Sequence, residues 1–503
     1  MKNLNIKKFW ILTKKYKKII TLSILTIITT IILLTISLKI NDIWKRKTVK
    51  QITKEEWLTI FTHGSFGSIL GLLNVFDVLK DKTSGTSYKK IISKMRKDPH
   101  FYCNQPMLQR GLIKIKPSFD LSITSSNKYI VYPLSKAYET ILEQVNPEKE
   151  KNSFYTFGWS GLFSQQRRRI EAIRFYNNIV EELEKYEKKG IKPKIRILTH
   201  SHGGNLVLNF AAIKTVLNYL EKPEQIENIP KNTDEKESLL SMLKIIKKLP
   251  TKDQNKLQKG QKLFDYIPEK KDIKINELIM FGTPIQPETA GFAFNDIFEK
   301  VYNFYSDEDV VQDLDGISTK RYSSNKRFNF SNNIKIDKQD LPSKVIQAKI
   351  MIRKGFLNKL FSIKTDFNEK EKDKKQGFWS KILSGIFSSK KNDDPTHREL
   401  WFILWDKQNS LNFLPTVVFT PLLTKAIEKL LDQTNDIDLN IKFTKRKLLL
   451  YALKHNDTKI KNKISLPMKI LEDIKPKILK WKPENYSYDT EFNIIKRYSN
   501  FLK

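Results

Sequence analysis

Short runs of apolar and β-branched residues alternate with longer helical stretches through most of the chain. Each run ends in a polar or glycine-containing turn, and the clearest cover residues 57–62, 154–157, 195–199, 277–281, 301–305 and 345–352. A helix is predicted from Gln165 to about Lys189, where Gly190 is suited to end it, and a second from Asn205 to Leu220. This alternation predicts an α/β fold, with a doubly wound, mostly parallel sheet flanked by helices.

Three stretches interrupt this alternation and are predicted to be helical insertions. They cover residues 81–150, which lack a clear period, 221–272, which are rich in Lys and Glu, and 354–394, which contain a charged run. The second of them separates two strands by more chain than a crossover needs. The main domain is therefore expected to span residues 55–425, and residues 426–503 are predicted to form a helical, basic C-terminal extension.

An apolar stretch near the N-terminus has the length of a membrane span. Residues 19–38 carry no charge, and a helix of that length spans roughly 30 Å, the thickness of the hydrocarbon core of a bilayer. A cleaved signal peptide is the alternative, but the run is long for one and no small-residue cleavage site follows it. We therefore predict a basic tail over residues 1–18 and a transmembrane helix over residues 19–40.

Basic residues on the two sides of this stretch set the expected orientation. The first eighteen residues hold seven Lys and no acid, whereas residues 39–50 hold five Lys or Arg and one Asp. An excess of positive charge before the span favours a cytoplasmic N-terminus. The bulk of a single-pass protein would then lie on the non-cytoplasmic side.

Composition limits the classes of protein to consider. The chain holds 91 Lys and Arg against 55 Asp and Glu, a net charge of +36. The first fifty residues contain twelve bases and one acid, so the remainder still carries +25. Such an excess is typical of proteins that bind an anionic membrane or nucleic acid, but the bases are spread over most of the chain, mostly as Lys, which favours a general bias in composition. No stripe of basic and aromatic residues points to nucleic acid. The single cysteine, Cys103, excludes an intrachain disulfide framework.

The segment with the most chemical information lies between a predicted strand and a predicted helix, and it reads Thr-His-Ser-His-Gly-Gly over residues 199–204. A serine at such a junction is held on a strained turn, with its hydroxyl exposed above the sheet and a helix N-terminus beside it. Ser201 is therefore the candidate nucleophile, and a plain turn with a helix-capping serine is the alternative. The flanking histidines, with no nearby acid or cysteine, make a poor zinc site.

Candidate partners for this serine follow it in the chain. Asp309 lies just past a predicted strand, and His397 lies in a late loop. The order serine, acid, histidine is the one found in α/β hydrolases. Asp307 and Asp313 are alternatives for the acid, and all three carboxylates also suit a solvated loop.

Four segments together resemble the α/β-hydrolase superfamily, most closely its membrane-associated lipases and lipid esterases. They cover residues 61–67, 198–205, 281–284 and 305–311. The similarity extends over roughly residues 55–425, interrupted by the insertions. One departure is Thr199, which stands where the first glycine of the family motif is commonest.

The resemblance implies an α/β-hydrolase fold and a set of residue roles. Ser201 would be the nucleophile, His397 the general base and then acid, and Asp309 the carboxylate that orients the imidazole. Backbone N–H groups of Ser65 and His202 would form the oxyanion hole. Neither a metal nor an organic cofactor would be required.

Three further features have a place in this interpretation. His63 is expected to shape the oxyanion turn rather than to transfer protons, and Trp159 either lines an acyl pocket or belongs to the core. The basic, amphipathic segment of residues 378–387 precedes His397 closely. It suits either an interfacial lid that opens on lipid or a cap helix packed on its own domain.

Together these observations predict a membrane-anchored serine hydrolase that cleaves carboxylic esters, with membrane lipid as the expected substrate. One alternative is a catalytically inactive hydrolase-fold scaffold that tethers partners at the membrane. The other is a thioesterase or amidase that uses the same triad. Nucleic acid is not expected as a partner.

Overall fold

A computed structural model describes the greater part of the chain between residues 55 and 480. The described residues are 16, 26, 28–37, 39, 55–65, 110–120, 122, 129–146, 150–162, 164–221, 234–257, 264–269, 272–309, 311–312, 324–328, 344–353, 394–395, 397, 400–401, 416–444 and 446–480. The chain divides into two units, Met1–Lys54 and Glu55–Lys503.

The first unit contains the predicted basic tail and membrane span. Its described residues, which are 16, 26, 28–37 and 39, are helical. In the part of the chain that the structure describes, no helix is both long and apolar enough to cross a bilayer. The rest of the predicted tail and span, residues 1–40, lies outside the described residues.

A ten-stranded sheet forms the centre of the second unit, with the strands in the order β10-β9-β8-β7-β6-β5-β4-β1-β3-β2. The strand bounds are Glu55–Thr62 (β1), Gly111–Ile115 (β2), Glu150–Gly158 (β3), Lys194–His200 (β4), Ile275–Phe281 (β5), Phe298–Tyr305 (β6), Val345–Arg353 (β7), Asp436–Phe443 (β8), Lys447–Lys454 (β9) and Ile460–Pro467 (β10). Strands β1 and β3 to β8 are parallel, whereas β2, β9 and β10 pair antiparallel at the two edges. The predicted α/β class and mostly parallel sheet are confirmed.

Helices cover both faces of this sheet. Their bounds are Val131–Val145 (α1), Gln165–Glu187 (α2), His202–Glu221 (α3), Asp234–Ile246 (α4), Lys252–Leu257 (α5), Pro287–Ala290 (α6), Thr420–Glu428 (α7) and Met468–Lys480 (α8), with short 3-10 turns at Gly291–Phe294 and Thr416–Phe419. Apolar side chains of α1, α7 and α8 form one core with the sheet, and those of α2, α3 and α4 form the other. Successive residues of a strand point to opposite faces of the sheet, so Ile197 and Leu198 of β4 lie in different cores.

A buried ion cluster fixes the central strands near their amino ends. The Arg196 guanidinium of β4 donates to Glu150 of β3 at 2.9 Å and also pairs with Glu277 of β5. It lies 4.2 Å from the ring of Trp57 in β1. Burial alone would lower the pKa of Arg196, but Glu277 and its other partners raise it well above the ordinary value. The cluster thus links four neighbouring strands at the end of the sheet opposite their carboxyl ends.

Two of the three predicted insertions contain strands or helices that belong to the sheet and its flanking layers. The prediction of a helical insertion over residues 81–150 is wrong for residues 111–115, which form β2 and extend the sheet by pairing with β3. In α1 of the same stretch, Leu134 and Ile141 are fully buried in a core. Within residues 221–272 lie α4 and α5, and α4 packs on the same side of the sheet as α3. Of the third, residues 354–394, the structure describes Asp394 alone.

The prediction of a helical C-terminal extension is wrong for residues 436–467, which form β8, β9 and β10. In β8 the buried residues Ile437, Leu439 and Ile441 alternate with polar ones, the period of a strand rather than a helix. Abundant Lys in the surrounding sequence obscures this alternation. Among the described residues of this region, helix is found before β8, at residues 420–428, and after β10, at residues 468–480.

Candidate active site

The predicted site residues follow strands at the carboxyl edge of the sheet. Ser65 follows β1, Ser201 follows β4, Asp309 follows β6, and His397 comes after β7. Strands β1 and β4 are neighbours, but the chain leaves β1 towards β3 on one side and leaves β4 towards β5 on the other. Ligands of open α/β sheets bind at such a reversal of strand order, in the crevice at the carboxyl ends.

Ser201 occupies a tight strand-to-helix turn. It is the single residue between the last residue of β4, His200, and the first residue of α3, His202. Its φ of 51° lies in the left-handed region, which it shares, among the described non-glycine residues, with Asn456 alone. A side chain there costs about 1–2 kcal/mol. The local backbone therefore has the strain that the sequence predicts for a nucleophile turn.

Two glycines allow α3 to approach this turn closely. A Cβ atom at Gly203 would lie 2.7 Å from the carbonyl oxygen of His63, and one at Gly204 would overlap the side chain of Thr283. The Thr283 hydroxyl in turn donates to the Ser201 carbonyl at 3.0 Å. The two glycines therefore fit the helix N-terminus between the loops that follow β1 and β5.

The predicted oxyanion residues, Ser65 and His202, belong to the two segments next to the Ser201 side chain. A Cβ atom at Gly64 would lie 2.7 Å from Cβ of Ser201, so the loop after β1 is in contact with the nucleophile turn. Ser65 is the next residue of that loop, and among the described residues its buried hydroxyl has no hydrogen-bond partner. His202 follows Ser201 in the first turn of α3. Both residues are thus adjacent to the position of the nucleophile.

Asp309 and His397 form a hydrogen-bonded pair. The Asp309 side chain is fully buried, and its two oxygens lie 2.8 and 3.0 Å from Nδ1 of His397. The same carboxylate accepts backbone N–H groups from Val311 at 3.1 Å and Gln312 at 3.2 Å. These donors fix the orientation of the carboxylate. Because Nδ1 donates to Asp309, Nε2 of His397 is the nitrogen available as a base.

The alternative acids have other surroundings or are not described. Asp307 is exposed, and its carboxylate pairs with Lys349. Its backbone carbonyl accepts from Lys326 at 2.8 Å. Asp313 lies outside the described residues. Of the two described candidates, the geometry selects Asp309 because it alone contacts His397.

Gly282 makes room for this pair. Its φ is 59°, and a Cβ atom there would lie 2.9 Å from the Asp309 carboxylate and 3.1 Å from Nδ1 of His397. Any side chain at this position would therefore press on the hydrogen bond between the acid and the histidine. Leu400 approaches the same glycine, with its Cδ1 atom 3.2 Å from the Cβ position.

Ser201 and His397, the predicted nucleophile and base, lie on neighbouring segments. His200 donates from Nε2 to the backbone carbonyl of His397 at 2.9 Å, and the centres of their rings are 4.6 Å apart. Among the contacts of the described residues, the Ser201 hydroxyl makes no hydrogen bond with the His397 ring. Catalytic hydrogen bonds are often long before substrate binds and shorten in the complex.

His63 and Trp159 form a buried pair next to the predicted oxyanion loop, residues 64 and 65. Nε2 of His63 accepts the Trp159 backbone N–H at 3.1 Å, and the Trp159 indole donates to the His63 carbonyl at 2.7 Å. Nδ1 of His63 lies 2.7 Å from the Gly64 carbonyl. Both ring nitrogens of His63 therefore contact backbone, which agrees with a role in shaping the loop. The full burial of Trp159 favours the core interpretation.

Sequence reasoning missed two residues of this region. Gln312 is fully buried, and its amide donates to the Thr283 carbonyl at 2.7 Å, which joins the Asp309 loop to the loop after β5. Trp401 is fully buried and stacks on His200, with ring centres 5.6 Å apart. Gln312 lies three residues after Asp309, the spacing at which an Asp side chain commonly accepts a backbone N–H. That spacing is the signal that could have found it. Nothing in the sequence pairs Trp401 with His200.

The predicted lid, residues 378–387, lies outside the described residues. No family model, no curated protein and no solved structure matches this chain.

Proposed function

We propose that this protein is a serine hydrolase with an α/β-hydrolase fold, which cleaves carboxylic esters through an acyl-enzyme. The observation that supports it most is the hydrogen bond between His397 and buried Asp309, at the sheet edge where Ser201 occupies a left-handed turn. Serine, acid and histidine follow three parallel strands in the chain order of that fold.

In the proposed first step, Ser201 Oγ attacks the carbonyl carbon of the ester while Nε2 of His397 takes its proton. The carbonyl oxygen becomes an oxyanion facing the backbone N–H groups of Ser65 and His202. Each such donor contributes about 3 kcal/mol to transition-state stabilisation in comparable enzymes. Collapse of the intermediate expels the alcohol, which receives the proton from His397, and leaves an acyl group on Ser201.

In the second step, water attacks the acyl-enzyme with His397 again as base. The acid is released and Ser201 regains its proton. Asp309 keeps the imidazole in the required tautomer throughout and stabilises the imidazolium that forms in each step. The donors from residues 311 and 312 hold the carboxylate in place for this role.

We further propose that the substrate is a membrane lipid ester. Two features of the sequence support this proposal, namely the predicted anchor over residues 19–40 and the charge of +25 on the rest of the chain. A basic surface is attracted to anionic lipids. The anchor would hold the active site near its substrate.

Hydrolysis of a panel of substrates tests the proposed chemistry. The panel contains esters of graded acyl length, one thioester and one amide. We expect Ser201→Ala and His397→Ala to lose more than about 10⁴-fold in kcat on the preferred ester, because triad members act as a unit. We expect Asp309→Asn to lose about 10⁴-fold because it favours the wrong tautomer.

Asp307→Asn is the matched control for the acid. It changes a carboxylate two residues away that pairs with Lys349 instead of His397, so activity should stay within about twofold of wild type, as for exposed ion pairs. Undiminished turnover in Ser201→Ala would contradict the mechanism. A folded wild type that hydrolyses no member of the panel would instead favour the inactive scaffold.

A further inference from the structure

His200 connects three parts of the candidate site. It precedes Ser201 in the chain, and its Nε2 donates to the backbone carbonyl of His397 at 2.9 Å. On the other side of the ring, a Cβ atom built on Gly64 would lie 3.3 Å from Nδ1. The imidazole therefore lies between the oxyanion loop and the loop of the proposed base, and Trp401 stacks on it with an interplanar angle of 13°.

The chemistry of this contact fixes the position of a proton. A backbone carbonyl only accepts hydrogen bonds, so Nε2 of His200 must carry the hydrogen. His200 is 9% exposed as a residue, and its bond to the His397 carbonyl is partly buried. A buried carbonyl left without its donor costs about 1–3 kcal/mol. The contact therefore requires a hydrogen-bond donor at the position of Nε2, which an aromatic ring without a donor does not provide.

We propose that His200 is a positioning residue for the catalytic base. Its Nε2–H holds the His397 backbone and thereby sets the spacing between Ser201 and the His397 ring. This inference rests on the proposed serine hydrolase function. His200 transfers no proton and touches no reacting atom in this role.

The geometry explains why His397 needs the hydrogen bond from His200 in addition to its bond to Asp309. The bond to Asp309 orients the ring through Nδ1 but leaves the position of the loop backbone to other contacts. His200 is covalently joined to Ser201, so a hydrogen bond from His200 to the His397 backbone ties the base directly to the nucleophile turn. A misplacement of about 1 Å between reacting groups costs on the order of 100-fold in rate.

Two substitutions at this position separate the hydrogen bond from the packing. His200→Gln places an amide N–H at about the reach of Nε2, whereas His200→Phe keeps an aromatic ring against Trp401 and removes the donor. With a soluble short-chain ester and the full chain, we expect H200F to lower kcat by about 10- to 100-fold with little change in KM. We expect H200Q to recover most of that loss. Should H200F fail to fold, His200→Asn, whose amide is too short, takes its place.

Equal losses in kcat for H200Q and H200F would overturn the proposal, as would a wild-type kcat in H200F or an effect on KM alone. A double-mutant cycle adds a stricter test. In a His397→Ala background, H200F should lower the residual activity by no more than about twofold, because His200 acts by positioning the His397 ring, which is then absent. A further full loss in that background would show that His200 does not act through His397.

A spectroscopic measurement separates this inference from the proposed function. The proton on Nδ1 of His397 that bonds to Asp309 should give a far-downfield NMR signal, assigned by its loss in H397A. H200F should shift or broaden this signal, and H200Q should restore it. An unchanged signal in H200F would overturn the positioning role even if no ester were hydrolysed. Failure of the proposed function would appear differently, as a folded wild type that hydrolyses no ester or as turnover that does not depend on Ser201.

Discussion

Ser201 and Thr199 show how single residues give the candidate site its shape. The left-handed backbone of Ser201 was predictable because a strand runs directly into a helix through this serine. Thr199, the departure from the family motif, is fully buried in β4, and its hydroxyl lies 3.3 Å from the Ile279 carbonyl of the next strand. At that position a side chain fills the sheet and does not obstruct the turn, so glycine is not required.

The backbone strain at Ser201 predicts an unusual order of stability for two substitutions there. Ser201→Gly should have a free energy of unfolding about 1 kcal/mol higher than Ser201→Ala, because alanine keeps a Cβ in the left-handed region and glycine does not. Urea denaturation of the two inactive variants measures the difference. The control pair is Ser306→Gly and Ser306→Ala, at a buried strand-end serine without a positive φ. There alanine should be the more stable; the same order at both sites would contradict a strained turn at Ser201.

The family resemblance predicted Asp309 as the acid, but Asp307 and Asp313 stayed open as alternatives. Asp307, Asp309 and Asp313 follow the same strand and look alike as loop carboxylates. Only the fold shows that Asp309 turns inwards to His397, which lies 88 residues further along the chain. Contacts over such separations leave no mark in a single sequence.

At the scale of elements, burial explains most of the strands that the sequence revealed, and β8 is the exception. It lies inside the sheet, but polar residues alternate with its buried Ile437, Leu439 and Ile441, so the sequence did not reveal it. Strands β1 and β3 to β7 lie inside the sheet and have continuous apolar runs, so they were predicted within a few residues. Strands β2, β9 and β10 lie at or near the edges and carry exposed polar residues such as Lys114 and Lys463. Their apolar residues cover one face only, and the Lys-rich composition obscured the alternation.

The close approach of α3 to the sheet predicts a steric effect at Gly204. Gly204→Ala should lower the free energy of unfolding by about 1–3 kcal/mol, because the added methyl group overlaps Thr283 in a packed interior. It should also reduce activity, because Thr283 holds the Ser201 carbonyl. Thermal unfolding and ester hydrolysis measure the two effects.

Gly190→Ala is the control for this substitution. Gly190 has a φ of 69° but no atom within 4 Å of a Cβ. The change should therefore cost only the backbone strain of about 1 kcal/mol and leave activity intact. Wild-type activity and stability in Gly204→Ala would show that α3 does not depend on the glycine at this point.

At the scale of the whole molecule, the parallel sheet brings together residues from four distant segments. Strand order reverses between β1 and β4, the kind of position at which open α/β sheets bind ligands, and Ser201 and Asp309 follow the carboxyl ends of β4 and β6. The edge of the sheet that would carry the site was predictable from the strand–turn pattern. The extension of the sheet through β8, β9 and β10 was not, since the resemblance ends before it.

The predicted membrane anchor, residues 19–40, also concerns the molecule as a whole. We expect the full chain to sediment with membranes and to resist extraction by high salt, because roughly 20 apolar residues span a bilayer. Deletion of residues 1–50 should release the protein, and a reporter fused after Lys503 should be active on the non-cytoplasmic side. A full chain that is released by salt would contradict the anchor, and a reporter active only in the cytoplasm would reverse the orientation.

The most direct test of the central claim is to locate a fluorophosphonate adduct by mass spectrometry. The proposed mechanism predicts a single adduct on Ser201, absent in Ser201→Ala. Its rate of formation should fall by at least about 100-fold in His397→Ala and Asp309→Asn, and should be unchanged in Asp307→Asn. An adduct on a different residue, or labelling of Ser201 at the wild-type rate without His397, would contradict the proposed triad.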